Sequence, residues 1–203
     1  MRVVVATGNR GKLAEIRELL AGLGMHLVPQ GELGVAAAAE TGQTFEENAL
    51  LKARHAAAAT GLPAIADDSG LLVEALYGRP GVRSARYAGA GADDRANVEK
   101  LLCELRGVPP ARRGASFRCV AVFVRPLEGS APLIADGRWD GQVAEAPRGE
   151  RGFGYDPVFL DPARGRTAAE MGEAEKNALS HRGQAFRRLA EMLREQQAAE
   201  RTR

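Results

Sequence analysis

Only two cysteines occur in this 203-residue chain, Cys103 and Cys119, and they form no Cys-x-x-Cys pair. That excludes a zinc ribbon or a dithiol redox motif and fits free thiols in a reducing compartment. No apolar run approaches the roughly 20 residues that cross a bilayer, and no signal-type apolar segment precedes a cleavage site. A cytoplasmic protein with no membrane association is expected. Charge of one sign is also lacking: 28 basic residues are interspersed with 26 acidic ones, for a net charge of +2. Nucleic acid is therefore not an expected partner, and any affinity for anions must come from local clusters. Repeats, low-complexity runs and linkers are absent too, which points to a single domain long enough for a sizeable core.

What is present reads as α/β. Val3–Ala6 is apolar throughout, as a buried strand is, and the helix after it carries Leu13, Ile16, Leu20 and Leu23 on one face. Thr44 and Glu47 form a capping box that opens a second helix, which stops at Gly61-Leu62-Pro63. Residues 64–66 suit a short strand running into Asp67-Asp68-Ser69-Gly70, and 77–94 suit a long loop. A third helix carries Val98, Leu101, Leu102 and Leu105. Two strands joined through 127–131 follow, then a glycine-rich loop with a further short strand, and a last helix carries Phe186, Leu189 and Leu193. The tail from about 197 to 203 is expected to fray. Helix–strand alternation followed by a meander predicts a mixed sheet.

Five stretches carry chemistry. The turn from Thr7 to Lys12 is not a Walker P-loop, because Ala6 and Leu13 stand where a glycine and a hydroxyl belong. Its glycines, helix start and lysine still suit a phosphate, as they suit a plain strand-to-helix turn. Asp67-Asp68 suits a divalent cation and a water to be activated, with side chains diverging to different tasks; a solvated Asx turn explains it equally. Glu46 and Glu47 have helix-capping roles, whereas Glu40 has none and is the better metal ligand of the three. The "GFGYDP" stretch pairs free amides with Phe153 and Tyr155, which suits a flat base or a core turn. Lys176, Ser180, His181 and Arg182 suit phosphate and carbonyl recognition, or a helix cap.

Six stretches in order ("TGNRGK", "ETGQTFEENALLKARHAA", "AIADDSGL", "PGVRSARYAG", "FGYDPVF" and "EKNALSHRGQA") resemble the non-canonical purine NTP pyrophosphatase family, also called the Ham1 or inosine triphosphatase family. They cover the chain from its first strand to its last helix. The resemblance implies an elongated two-lobed α/β fold around a long mixed β-sheet, with the nucleotide in a cleft between the lobes. It also implies a homodimer, a Mg2+ requirement and hydrolysis of ITP, dITP or XTP to the monophosphate and pyrophosphate. Through it, Thr7, Gly8, Asn9, Arg10, Gly11 and Lys12 are expected to bind the triphosphate. Glu40 and Asp68 are expected to hold the metal, with Asp68 as proton acceptor. Ser69, Phe153, Gly154, Tyr155, Asp156, Lys176, His181 and Arg182 are expected to touch substrate. Two other readings stay open: a Maf-like pyrophosphatase for modified or pyrimidine nucleotides, whose Ser-Pro-Arg-Arg opening is missing here, and a nucleotide sensor without turnover.

Overall fold

β-Branched Val3, Val4 and Val5 make the buried part of the first strand, β1 (Arg2–Val5). The computed structural model describes residues 1–127 and 129–201, with Glu200 and Arg201 described by their backbone alone. β2 (His26–Pro29) and β3 (Ala64–Val73) both run parallel to β1. β4 (Gly114–Val124) and β5 (Leu133–Val143) follow, and β6 (Phe159–Asp161) and β7 (Arg166–Thr167) complete an antiparallel edge. The seven strands are ordered β2-β1-β3-β4-β5-β6-β7, the mixed sheet that the alternation predicts. Five helices accompany them: α1 (Arg10–Leu20), α2 (Phe45–Thr60), α3 (Asp94–Glu104), α4 (Glu173–Leu179) and α5 (His181–Arg201).

The chain divides into two compact units. The first comprises Met1–Asp68, Cys119–Gly137 and Arg182–Arg203. Its strands alternate their side chains between two cores. Val3, Val5, Ile65, Cys119 and Phe123 meet Ile16 and Leu20 of α1 and Phe186, Leu189 and Leu193 of α5. On the other face Val4, Ala6, Ala64, Ala66, Val122 and Val124 meet Ala49, Ala53, Ala56 and Ala57 of α2. The second unit comprises Ser69–Arg118 and Arg138–His181. Its core gathers Leu71, Leu101, Leu105, Phe117, Trp139, Phe159 and Met171.

Several local expectations change. The strand expected at 64–66 does not end before Asp67; β3 runs through Asp67-Asp68-Ser69-Gly70 to Val73, so this stretch is extended strand and no Asx turn. β2 and β7 were not foreseen, being only four and two residues long. The loop at 77–94 holds a 3-10 turn over Gly81–Arg86. Ser180 closes α4 before α5 begins. The connection through 127–131 includes Glu128, which lies outside the described residues, as do 202 and 203 of the tail; through Arg201 the backbone is helical.

One glycine is fixed by packing. A Cβ on Gly141 of β5 would lie 2.5 Å from the Leu160 carbonyl oxygen and 2.7 Å from the Phe159 ring. Gly31 has nothing within 4 Å of that position. Gly141→Ala is expected to lower stability by about 1–3 kcal/mol in urea titrations, while Gly31→Ala stays within about 0.5 kcal/mol.

Candidate active site

The first site element is the turn between β1 and α1. Asn9 is the N-cap of α1: its Oδ1 accepts from the Lys12 backbone N–H at 3.0 Å, and its own N–H donates to Thr7 Oγ1 at 3.1 Å. Asn9 therefore locks the turn, one of the two roles open to it from sequence. Gly8, Asn9 and Arg10 are exposed, so the helix start and its positive dipole end face solvent.

Extended backbone sends the two aspartates to opposite faces of β3. Asp67 follows Ile65 onto the α1/α5 side, and Asp68 follows Ala66 onto the α2 side. Asp67 is 1% exposed and takes Lys12 Nζ at 3.1 Å and Arg182 Nη2 at 3.3 Å; Arg182 Nη1 also donates to Glu15 at 2.6 Å. Burial alone would raise the Asp67 carboxyl, but Lys12 and Arg182 hold it well below the carboxylate range. Cys119 Sγ lies 3.8 Å away, and burial pushes that thiol far up, which makes it inert.

Asp68 has different company. Its Oδ1 accepts from Lys52 Nζ at 2.8 Å and its Oδ2 from Asn48 Nδ2 at 3.3 Å. Lys52 Nζ also donates to Glu40 at 2.9 Å, so both carboxylates converge on one ammonium. Burial raises the Asp68 carboxyl above its ordinary value, more than Lys52 and Lys12 pull it down. Burial disfavours the charge on Lys52, but Asp68, Asp67 and Glu40 outweigh it and raise its pKa. The loop carrying Glu40 is held by Asn48, whose Oδ1 accepts from Gly42 N–H at 2.8 Å. A Cβ on Gly42 would meet Asn48 Oδ1 at 2.8 Å and Glu47 Cβ at 2.7 Å, so that approach requires glycine.

Among the described residues no group of three or more His, Cys, Asp and Glu is arranged to hold a metal. Glu40 and Asp68 still fit a hard divalent cation. Their oxygens already surround one positive charge, and such ions often take one or two carboxylates and complete their shell with water and phosphate.

The second unit holds the remaining candidates, apart from Arg182. Lys176 of α4 is buried and donates to Asp156 Oδ2 at 2.6 Å, an oxygen that also accepts from Phe153 N–H at 2.9 Å. Lys176 Nζ lies 4.9 Å from the Phe153 ring centroid. Tyr155, expected beside Phe153 as a stacking ring, instead sits in the core with its hydroxyl donating to the Ser84 carbonyl at 2.9 Å. His181 is stacked on Phe117, ring centroids 4.6 Å apart and planes within 12°. Ser69 is half-buried in β3, next to Asp68.

Sequence reasoning missed Lys52, Asn48 and the hub role of Asp67. A signal existed for the first two: they lie four apart on α2, polar positions beside an otherwise alanine-lined buried face.

A mixed α/β sheet with acid–lysine sets on both faces of one central strand defines an α/β protein built around buried, compensated charge. The chain belongs to the Ham1 family, whose model matches residues 3–192. It is 57% identical over 194 residues to a dITP/XTP pyrophosphatase of Yersinia pseudotuberculosis, covering 96% of this chain and 98% of that one. Among solved structures it is similar to a HAM1 protein from Coxiella burnetii, with a TM-score of 0.88, 50% identity, and 96% and 99% of the two chains covered. The Staphylococcus aureus Ham1 protein gives a TM-score of 0.85 at 38% identity, with 97% and 100% covered.

Removing the Asp67 charge leaves Lys12 and Arg182 without their shared buried partner. Asp67→Asn is expected to cost about 3–5 kcal/mol at pH 7. Because the native carboxyl is depressed, its stabilisation is complete above the ordinary carboxylate value of about 4 and is lost as pH falls below it. Denaturation midpoints from pH 7 to 3 should fall more steeply in the parent than in Asp67→Asn.

Proposed function

We propose that the protein hydrolyses non-canonical purine nucleoside triphosphates, ITP, dITP and XTP, to the monophosphate and pyrophosphate. Relatives named dITP/XTP pyrophosphatase, matched over nearly the whole chain, support the substrate class. The observation that carries the chemistry is the convergence of Asp68 and Glu40 on the Lys52 ammonium, with the Asp68 carboxyl raised by burial. Glu40 and Asp68 would hold a divalent cation, Mg2+ in this reading, which when bound acidifies a water and neutralises phosphate charge.

In the reaction, water attacks the α-phosphorus and Asp68 receives its proton. A raised pKa makes this carboxylate a better acceptor than an exposed aspartate. Lys12 and the exposed amides of the Thr7–Gly11 turn bind the triphosphate, and Lys176 adds positive charge as the pyrophosphate leaves. In exchange for the phosphates Lys12 gives up Asp67 and Lys176 gives up Asp156, so each cation passes from one anion to another. Phe153 stacks on the purine with Gly154 beside it. His181 and Arg182 donate to its 6-oxo group, His181 braced by Phe117 and Arg182 by Asp67 and Glu15. The 6-amino group of adenine would leave those donors unpaired, at about 1–3 kcal/mol for each. The reading includes a homodimer in the cytoplasm. No helix among the described residues is long and apolar enough to cross a membrane.

Pyrophosphate release from ITP, dITP, XTP, ATP and GTP at equal concentration tests the assignment. Release from the first three with Mg2+ present, and far less from ATP, is expected; equal rates on ATP rule out purine editing, and no release from any nucleotide leaves the sensor reading. Asp68→Asn should fold normally by circular dichroism and lose about 10²–10⁴-fold in turnover.

A further inference from the structure

The stretch from Phe153 to Asp156 is tied down at several points. Asp156 Oδ2 accepts from Phe153 N–H and Lys176 Nζ, the Tyr155 hydroxyl donates to Ser84, and the Asp156 carbonyl accepts from Ala169 N–H at 3.2 Å. One further tie comes from a distant, exposed residue. Asp94 Oδ2 accepts from Gly154 N–H at 2.7 Å, across 60 positions of sequence. Gly154 sits at φ +60°, where glycine rests without strain but has no side chain to hold it in place. Its amide contact with Asp94 is therefore what restrains the tip of the loop.

Asp94 is well placed for this. It is the first residue of α3, and the preceding Asp93 already caps the helix by accepting from Ala96 N–H at 2.7 Å. The Asp94 carboxylate is thus released from capping and reaches outward. The same end of α3 holds a second loop through Asn97, whose Oδ1 accepts from Ala88 N–H at 2.8 Å. A charge-assisted bond to a backbone amide is about twice as strong as a neutral one.

We propose that Asp94 is a positioning residue: by holding the Gly154 amide, it fixes the Phe153–Tyr155 backbone in the conformation that receives the purine. This rests on the base-stacking role given to Phe153 above. A loop ordered before substrate arrives spares the cost of ordering it on binding, which improves affinity and leaves the chemical step alone.

The test compares Asp94→Ala, Asp94→Asn and Asp93→Ala with the parent, using ITP turnover, thermal melting and amide deuterium exchange without nucleotide. Asp94→Ala is expected to raise KM about tenfold with kcat within about twofold, and to speed exchange in the peptide containing Gly154. Asp94→Asn keeps an acceptor oxygen and should restore KM to within about threefold of the parent. Asp93→Ala weakens the α3 cap, so it should lower the melting temperature while leaving KM unchanged. A KM rise shared by Asp93→Ala, a fall in KM for Asp94→Ala, or unchanged exchange at Gly154 would each overturn the proposal. If the parent releases no pyrophosphate from any nucleotide, the functional reading fails, and the exchange arm still decides whether Asp94 holds the loop.

Discussion

Two consecutive carboxylates inside a sheet strand impose the main constraint on this molecule. A buried carboxylate without a partner is too costly to persist, so each aspartate demands a cation on its own face of β3. Asp67 takes Lys12 from α1 and Arg182 from α5. Asp68 takes Lys52 from α2 and, through it, the loop that carries Glu40. Three helices and one loop are thereby registered to two adjacent residues. Apolar packing alone would leave their sliding positions less tightly specified.

These pairs do not make the protein stable in an economical way. Buried ion pairs often contribute less than apolar residues of the same volume, because desolvation offsets the attraction. Their retention at one point of the sheet, with Lys52 held charged between two carboxylates, is the behaviour of a site whose charges are to be exchanged. The alanine face of α2 serves the same end. Small side chains at Ala49, Ala53 and Ala56 bring the helix close to the sheet, within reach of Asp68 for Asn48 and Lys52. On that face the substrate groups meet charges already positioned, which is where electrostatic catalysis draws its advantage.

The second unit repeats the principle with different residues. Asp156 accepts from both Lys176 and the Phe153 amide, so one carboxylate sets a cation and a loop together. Stacking replaces ionic attraction at His181, where Phe117 fixes the plane of the imidazole. The Phe117 ring in turn lies 4.5 Å from Phe159, and Phe159 lies 4.9 Å from Trp139. The orientation of a site residue is thereby carried by the hydrophobic core.

Local patterns in the chain were enough to establish the strand–turn–helix at Thr7–Lys12, the Thr44–Glu47 capping box, the mixed α/β class and the residues around which a site would form. They act over a few positions, and periodicity, capping chemistry and turn residues are readable at that range. The Asp67-Asp68 pair read equally as a turn, because polar residues disfavour strands unless partners from elsewhere compensate them. Those partners, Lys12 and Arg182 for one and Lys52 and Asn48 for the other, lie 15 to 115 positions away. The same distance hid the role of Asp94, and the burial of the Tyr155 ring was settled by a carbonyl 71 positions earlier. Which residue types were available was written in the chain; which of them neutralise, brace or free one another was decided only when the sheet brought distant segments together.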